Sequence, residues 1–476
     1  MYLCDSKLPF DSFKEECGVF GIYSPDIYPI ANSVYYGLFA LQHRGQESCG
    51  IAVGSGNKIE YYKNLGLVPE VFSNGALSLL PEGNVAIGHV RYSTTGSNHQ
   101  INSQPIFCMG KRGRMALSHN GNLVNARQLR KELIKQNAVF QTALDSEVIM
   151  LLINHYAEND IVEGVLEACK SLRGSYSFVL IAGGKLIAVR DPYGIRPLCF
   201  GTLGNKYVVA SESVALDAVG ASYVRDIEAG EVLVFDGTGI EFYRIDLPVE
   251  RKAHCIFEHV YFARPDSELD GVSVYEARKL SGKILAEHYP VEADLVSGVP
   301  DSAVVAARGY SEASGIPYGE ALTKNRYVGR TFIQPEQQLR ESTVKIKLNV
   351  LRANVCGKRL VLIDDSIVRG TTSKKIVQML KDAGAKEVHL RISSPIVKHP
   401  CYFGIDTNTY GQLVGAFRTE EEICKFIGAD SLKFLTIDEL LETVNGNERE
   451  YCLACFNGDY PYSVDDIQNE KYIFEK

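Results

Sequence analysis

Two adjacent acids followed by small hydroxyl residues form the most informative motif in this sequence. The apolar run LVLI leads directly into Asp364 and Asp365, which places both acids at the end of a predicted strand. A glycine and three hydroxyl residues then open a predicted helix: Gly370, Thr371, Thr372 and Ser373. Helix N-termini bind phosphate through backbone N–H groups, and open α/β sheets bind ligands at the carboxyl ends of their strands. Helix capping alone would not need two acids, and the spacing of the residues is not that of a P-loop. The motif therefore predicts that a phosphate binds at the helix N-terminus and that ribose hydroxyls or Mg²⁺ bind at the acids.

A cysteine near the N-terminus and a CxxC pair near the C-terminus are the other candidates for chemistry. Cys17 stands directly before a predicted strand, and a cysteine with a free backbone amine can use that amine as its own base. This use requires removal of residues 1–16, a short polar segment; the alternative is an internal cysteine at the start of a strand. Cys452 and Cys455 fit a redox pair, a zinc pair or half of a cluster site. We expect the cysteines that stand singly to be small buried hydrophobic residues: Cys4, Cys49, Cys108, Cys169, Cys199, Cys356 and Cys424.

Length and charge exclude several classes of protein. A chain of 476 residues is too long for one hydrophobic core, so we expect two large domains. Its net charge of −8 argues against a broad nucleic-acid-binding face. It has neither the apolar run of about 18 residues that a spanning helix needs nor the apolar core of a secretory signal. We therefore predict a cytoplasmic protein without nucleic-acid or membrane partners.

Two different patterns of elements must position these residues. In the first half, short apolar runs separated by glycine alternate with helical patterns, which predicts antiparallel hairpins covered by helices, an α+β domain. In the second half, continuous apolar strands alternate with helices, which predicts an α/β doubly wound parallel sheet. The basic stretch at 325–348 fits neither pattern, and we interpret it as a mobile active-site loop, with a plain surface excursion as the alternative.

The segment around the paired acids resembles the phosphoribosyl pyrophosphate signature of type I phosphoribosyltransferases. The resemblance implies that the acids contact the ribose and that the Gly-Thr-Thr-Ser run holds the 5-phosphate. It also implies that the loop GVPDSA, with Asp301 and Ser302, binds pyrophosphate, and that one Mg²⁺ per subunit lies among Ser302, Asp364 and Asp365. The basic residues that follow are candidates for contacts with the anionic pyrophosphate: Lys324, Arg326 and Arg330.

Four strings in the first half, HRGQES, HVRYSTTG, SHNGNLVNA and LDSEV, are similar to those of N-terminal-nucleophile glutamine amidotransferase domains. The similarity implies an αββα fold in which Cys17 attacks the glutamine amide. Asn120 and Gly121 would donate to the oxyanion, where negative charge develops. Arg91 and Thr94 would bind the glutamine carboxylate, and Asp145 would accept from its α-amine. Arg44 would order the site.

From Cys17 to about residue 456, the chain resembles the amidophosphoribosyltransferase family, with EHVYFARPDSELDG at the domain junction as further support. The resemblance implies that glutamine is hydrolysed at Cys17 and that the ammonia displaces pyrophosphate from phosphoribosyl pyrophosphate. The product would be 5-phosphoribosylamine, in the first committed step of purine synthesis. The resemblance also implies that purine nucleotides inhibit the enzyme by feedback. It further implies that the chain forms a homo-oligomer, a tetramer.

The same resemblance extends to a subgroup with a cleaved leader and one [4Fe–4S] cluster per subunit. Its ligands match four cysteines here: Cys255, Cys401, Cys452 and Cys455. Zinc on the same thiolates is the alternative. The predicted division of the chain is a propeptide at 1–16, an amidotransferase domain at 17–245, a phosphoribosyltransferase domain at 246–440 and a C-terminal cysteine segment at 441–476.

Two other functions remain open at this point. A different enzyme with the same N-terminal domain would not need the phosphoribosyl motif. A non-catalytic sensor of phosphoribosyl pyrophosphate would not need the amidotransferase residues. Such a sensor would lack glutaminase activity, so measuring that activity would distinguish it from an enzyme.

Overall fold

The computed structural model describes residues 17–92, 97–325, 348–405, 407 and 409–464. Three candidate site residues, Thr94, Arg326 and Arg330, lie outside the described residues. The predicted propeptide and nearly all of the basic stretch lie outside them as well.

The first half of the chain forms two antiparallel sheets. Their strands, in chain order, are β1 (Gly18–Tyr28), β2 (Ser48–Ser55), β3 (Lys58–Leu65), β4 (Gly83–Arg91), β5 (Ile106–Gly110), β6 (Gly113–Leu123), β7 (Gly174–Ala182), β8 (Lys185–Arg190), β9 (Cys199–Leu203), β10 (Lys206–Ala210), β11 (Ser222–Asp226), β12 (Glu231–Asp236) and β13 (Gly239–Arg244). One sheet has the order β11-β9-β10-β1-β4-β2-β3 and the other β13-β12-β8-β7-β6-β5. Residues of both sheets, such as Ile87 and Val179, share one core, so the sheets pack face to face.

Helices cover the outer faces of both sheets. They are α1 (Ala31–Ala40), α2 (Val68–Val71), α3 (Ala126–Lys135), α4 (Asp145–Tyr156), α5 (Ile161–Ser171) and α6 (Ser213–Ala218). Helices α1 and α6 pack on the first sheet, and α3, α4 and α5 pack on the second. Because each sheet is covered on both faces, strands such as β7 are buried along their whole length. The predicted αββα arrangement is confirmed.

The second half is built around a parallel sheet. Its elements are β14 (His254–Cys255), β15 (Glu268–Leu269), β16 (Val272–Ser273), α7 (Val274–His288), β17 (Leu295–Gly298), α8 (Val304–Ser314), β18 (Leu322–Lys324), β19 (Leu348–Val350), α9 (Arg352–Val355), β20 (Arg359–Asp364), α10 (Thr371–Asp382), β21 (Glu387–Ile392), α11 (Glu420–Ile427), β22 (Ser431–Phe434), α12 (Ile437–Glu442), β23 (Tyr451–Cys452) and α13 (Ala454–Asn457). The sheet has the order β17-β20-β21-β22, with every pair parallel. Helices α7 and α8 pack on one face, and α10 and α11 pack on the other, so the doubly wound prediction is confirmed.

A short parallel pair of strands joins two distant segments of the chain. Strand β14 pairs in parallel with β23, which places Cys255 opposite Cys452. Of the single cysteines expected to be buried, Cys49, Cys169 and Cys199 are buried, Cys108 and Cys424 are only partly buried, and Cys4 lies outside the described residues. Cys356 is exposed, because it lies in the turn that follows α9. Within the described part of the chain, no helix is both long and apolar enough to cross a membrane.

Candidate active sites

The Cys17 thiol lies at the start of β1, beside the end of β4. Its sulfur donates to the Tyr92 carbonyl at 3.3 Å and accepts from the Tyr92 backbone N–H at 3.5 Å. Burial raises the pKa of the Cys17 thiol to about 11, so the thiol is protonated at neutral pH. Among the described residues, no imidazole or carboxylate is hydrogen-bonded to this sulfur. A nucleophilic Cys17 therefore needs a base from elsewhere, and its own freed amine would meet that need.

Strand β6 carries a buried side-chain donor, the amide of Asn120. The Asn120 side chain is buried, and its Nδ2 has no hydrogen-bond partner among the residues that the structure describes. An unsatisfied buried donor is costly, so such a group is expected where a ligand completes the bond. Gly121, the next residue, has a φ of 143°, and a Cβ there would lie 2.1 Å from the Ser175 carbonyl oxygen. This position therefore requires glycine.

The substitution Gly121→Ala tests this position. A Cβ would push β6 away from β7 and displace both candidate oxyanion donors. We expect glutamine hydrolysis to fall by about 10²-fold, the loss typical of one missing oxyanion donor. The matched control is Gly183→Ala, since Gly183 also has a positive φ, 58°, but a Cβ there meets nothing within 4 Å. Steady-state glutaminase assays of both variants are the measurement, and wild-type hydrolysis by Gly121→Ala would contradict the assignment.

A cation and an anion flank the thiol. Arg91, at the end of β4, is buried and donates to the Ser97 carbonyl at 3.4 Å. Asp145 opens α4, where its carboxylate accepts from the backbone N–H of Leu123 at 3.0 Å and of Ser146 at 2.9 Å. Both charges act on the Cys17 thiol, Arg91 lowering its pKa and Asp145 raising it. The pair matches the opposite charges of an amino acid's carboxylate and α-amine.

Sequence reasoning missed two side chains beneath this site. The Gln104 amide accepts from His119 N–H at 2.8 Å and donates to the His119 carbonyl at 3.3 Å, directly before Asn120. Lys63 holds the same loop by donating to the Ser103 carbonyl at 2.6 Å. Burial lowers the pKa of Lys63 to about 8. The polar run Asn-Ser-Gln-Pro before β5 was the available signal.

Arg44 joins the thiol residue to both halves of the chain. Its Nε donates to the Cys17 carbonyl at 3.2 Å. Its Nη1 donates to Glu212 at 2.5 Å and its Nη2 to Glu258 at 2.6 Å, and all three side chains are buried. Burial alone would raise the pKa of Glu212, but its contacts with His43 and the Arg44 guanidinium hold that pKa well below its usual range. Two carboxylates thus compensate the buried guanidinium, one of them in the π-helical turn Glu258–Phe262 of the second half.

The second candidate site lies where β17 and β20 end side by side. Residues Gly298 and Ile363 are in register, which brings the loop after β17 to the acids after β20. Ser302 Oγ donates to Asp365 Oδ2, and Ser366 Oγ donates to Asp365 Oδ1 at 2.6 Å. Burial raises the pKa of Asp365, while these hydroxyls and the nearby Arg278 oppose the rise. The structure therefore brings Ser302 and Asp365 together, as the prediction required.

The phosphate motif and the predicted pyrophosphate loop adjoin these acids. Gly370 has a φ of 76° and caps α10, whose first turn holds the three hydroxyl residues. Asp364 Oδ1 accepts from the Asp365 N–H at 3.0 Å. Lys324 Nζ donates to Asp301 Oδ2 at 2.6 Å in an exposed pair, so this lysine lies at the predicted pyrophosphate loop. The ends of β17 and β20 are thus surrounded by backbone N–H donors, hydroxyl groups, two acids and a lysine.

Four cysteines from three chain segments converge beneath the junction of the two halves. Cys255 and Cys452 are in register, and both pack with Cys401 against Phe403. Burial raises the pKa of Cys455 well above its ordinary value, and the other three thiols add to this rise. In the described ranges, no group of three His, Cys, Asp or Glu side chains is placed to hold a metal ion. Thiolates are the ligands of iron–sulfur clusters and of structural zinc.

Comparisons with known proteins find both predicted domain types. A glutamine amidotransferase domain model matches residues 89–218, and a phosphoribosyl transferase domain model matches residues 272–394. The amidophosphoribosyltransferase of Archaeoglobus fulgidus is 52% identical over 452 residues, which cover 94% of this chain and 98% of the relative. The Bacillus subtilis amidophosphoribosyltransferase is 49% identical over 459 residues, which cover 95% of each chain.

Solved structures extend this likeness to three dimensions. Glutamine phosphoribosylpyrophosphate amidotransferase from B. subtilis, complexed with ADP and GMP, matches with a TM-score of 0.89 at 47% identity, covering 95% of this chain and 99% of that one. A structure described as the allosteric regulatory enzyme of purine biosynthesis also matches with a TM-score of 0.89 and covers 97% of its own chain. With both domain types, near-complete coverage and the resemblance of its motifs confirmed, the chain belongs to the amidophosphoribosyltransferase family.

Proposed function

We propose that Cys17, freed of residues 1–16, hydrolyses glutamine, and that the ammonia reacts with phosphoribosyl pyrophosphate in the second domain. The overall reaction is that of the family, amidophosphoribosyltransferase. The observation that carries the proposal is geometric: the buried Cys17 thiol is hydrogen-bonded to Tyr92, the residue after Arg91, while Asp145 is hydrogen-bonded to β6, which carries the Asn120 amide, a donor left unpaired by the residues that the structure describes. Arg91 and Asp145 match the charged head of glutamine. The Ser302–Asp365 contact supports the second half of the reaction.

In the first site, the free amine of Cys17 takes the thiol proton, and the thiolate attacks the amide carbon of glutamine. Arg91 and Thr94 hold the substrate carboxylate, and Asp145 accepts from its α-amine. The carbonyl oxygen becomes an oxyanion, to which Asn120 Nδ2 and the Gly121 N–H donate. The ammonium of Cys17 returns its proton to the leaving nitrogen, so that ammonia departs and a thioester remains. Water then hydrolyses the thioester to glutamate and the free thiol.

In the second site, the N–H groups and hydroxyls of Gly370–Ser373 hold the 5-phosphate at the α10 N-terminus. Asp364 and Asp365 face the ribose hydroxyls. Lys324 and Arg330 supply positive charge that balances the charge of pyrophosphate. The loop that carries Asp301 binds the same group. Ammonia attacks the sugar C1, and pyrophosphate leaves with the bonding electron pair; loss of one proton then gives the amine. Mg²⁺ held by Ser302, Asp364 and Asp365 would neutralise charge on the leaving pyrophosphate.

We further propose that purine nucleotides inhibit the enzyme at or beside the phosphoribosyl site. The basis is the solved B. subtilis relative, which is complexed with ADP and GMP. A homotetramer and a cytoplasmic location are proposed from the family resemblance.

One [4Fe–4S] cluster per chain is proposed on four thiolates: Cys255, Cys401, Cys452 and Cys455. The set fits in its chemistry, because four thiol side chains from three segments converge and thiolates are the ligands that iron–sulfur clusters use. When bound, the cluster would cross-link these segments, as structural metal sites do. It would take no part in the transfer of ammonia.

The test is the mass of anaerobically purified protein, measured native and denatured, together with its iron content. We expect a denatured chain that begins at Cys17 and about four irons and four sulfides per native chain. The variant Cys455→Ser should lose the iron, because removal of one thiolate leaves an incomplete set. Cys356→Ser, at an exposed cysteine outside the group, should keep it. One zinc per chain would establish the alternative metal, and a retained Met1 without metal would overturn both the processed nucleophile and the cluster.

A further inference from the structure

The second domain reaches the proposed oxyanion strand through two backbone carbonyls. Asn122 Nδ2 donates to the Tyr402 carbonyl at 2.9 Å, and Ser175 Oγ donates to the Phe403 carbonyl at 2.7 Å. Arg196 Nε donates to the same Phe403 carbonyl at 3.0 Å. Ser175, Arg196 and Phe403 are fully buried, so water does not compete for these bonds. Three side chains of the first domain thus hold one short segment of the second.

Ser175 connects this contact to the glutaminase site. It lies on β7 directly opposite Asn122 on β6. The Asn122 N–H donates to Ser175 Oγ at 3.1 Å, and the same hydroxyl donates onward to Phe403. The bonds therefore form a relay from the residue after Gly121 to the second domain.

The relay restricts the peptide unit between Gly121 and Asn122. Gly121 has no Cβ to restrict its backbone, and its φ of 143° is a conformation that side chains rarely allow. The N–H that enters the relay belongs to the peptide plane joining Gly121 to Asn122. Holding that plane fixes one side of Gly121, while the Ser175 carbonyl lies against the position of its absent Cβ. Oxyanion donors accelerate a reaction only when they are held in place before charge develops.

We propose that Ser175 is a positioning residue for the oxyanion hole, and that docking of the Tyr402–Phe403 segment completes the glutaminase site. The proposal rests on the oxyanion role assigned to Asn120 and Gly121 above. It implies that the glutaminase domain depends on the second domain for the geometry of its own catalytic donors. Substrate binding should depend on the relay less than catalysis does, because Arg91 lies on β4 and the Asp145 carboxylate, although it accepts from the Leu123 N–H, is also held in α4 by the Ser146 N–H.

The test is Ser175→Ala in the full-length processed enzyme, assayed with glutamine and separately with ammonia. We expect kcat for glutamine hydrolysis to fall about tenfold with KM within about twofold, because an interaction made only in the transition state is weakened. Ammonia-dependent synthesis should stay within about twofold of the wild type, since the second site is untouched. The matched control is Ser24→Ala on β1, whose buried hydroxyl accepts from the Asp26 N–H at 3.1 Å away from β6 and β7, and which should leave both activities within about twofold of the wild type.

Each other outcome has a definite meaning. A wild-type enzyme without glutamine hydrolysis would overturn the proposed function itself, not the relay. Unchanged glutamine kinetics in Ser175→Ala, or a higher KM at constant kcat, would overturn the relay alone. An equal loss of both activities would also overturn it, because a general loss of folding would then explain the effect. If Ser175→Ala does not fold, Asn122→Ala removes the neighbouring bond to Tyr402 and should give the same selective fall in kcat.

Discussion

Replacing Cys17 by alanine should abolish synthesis from glutamine and leave synthesis from added ammonia intact. The thiol is the proposed nucleophile, so without it no thioester should form, and we expect a loss of at least about 10³-fold with glutamine. The ammonia-dependent rate should be unchanged, because the acids proposed to face the ribose lie at the end of β20 in a different sheet. Initial rates of pyrophosphate release with each nitrogen source are the measurement.

The control for this substitution is Cys199→Ala. Cys199 lies on β9 in the same sheet, is fully buried, and its thiol also donates to a backbone carbonyl, that of Ala210 at 3.4 Å. The two substitutions thus remove equivalent buried thiols, and only one of them is the proposed nucleophile. Loss of both activities in Cys17→Ala, or a matching loss in Cys199→Ala, would contradict separate half-sites.

Replacing Asp365 by asparagine should remove synthesis from both nitrogen sources. Its two carboxylate oxygens accept from Ser302 and Ser366, and asparagine would turn an N–H towards one of these hydroxyls. The change also removes the negative charge that we propose Asp365 offers to the ribose and to Mg²⁺. We expect kcat/KM for phosphoribosyl pyrophosphate to fall by about 10²–10³-fold with glutamine and with ammonia alike.

Asp382→Asn is the matched control for Asp365→Asn. Asp382 ends α10, the helix that carries the phosphate motif, but it is exposed, and its carboxylate accepts from Gln378 at 2.7 Å in that helix. Its kinetics should equal those of the wild type. A loss in Asp365→Asn that appeared with glutamine but not with ammonia would contradict a role in the shared second step.

The parts of the fold that could be predicted are those with a local signature. The run LVLIDD is buried on its strand and turns polar where the strand ends, so both the parallel sheet and its ligand edge could be predicted. Other local signals were present but overlooked. The β12–β13 hairpin contains Asp236-Gly237 at its turn, and α5 begins after Asp160, which accepts from the N–H of Val162 at 2.8 Å.

Contacts between distant segments could not be predicted. Arg44 was assigned an ordering role, but nothing near it in the sequence identifies Glu212 and Glu258 as its partners. Ser175 likewise stands in an ordinary apolar strand, and its bond to Phe403 exists only because the two domains dock. Hydrogen bonds of this kind depend on the packing of whole layers, which a periodic pattern does not encode.

The pairing of β14 with β23 has a consequence for the order in which the chain folds as it is synthesised. β14 leaves the ribosome before the parallel sheet, whereas its partner β23 follows β22 and nearly every other element. The first domain can therefore fold while synthesis continues, but β14 can form this pairing only after β23 has been synthesised. The four cysteines can come together only then, so closure of their group belongs to the late part of folding.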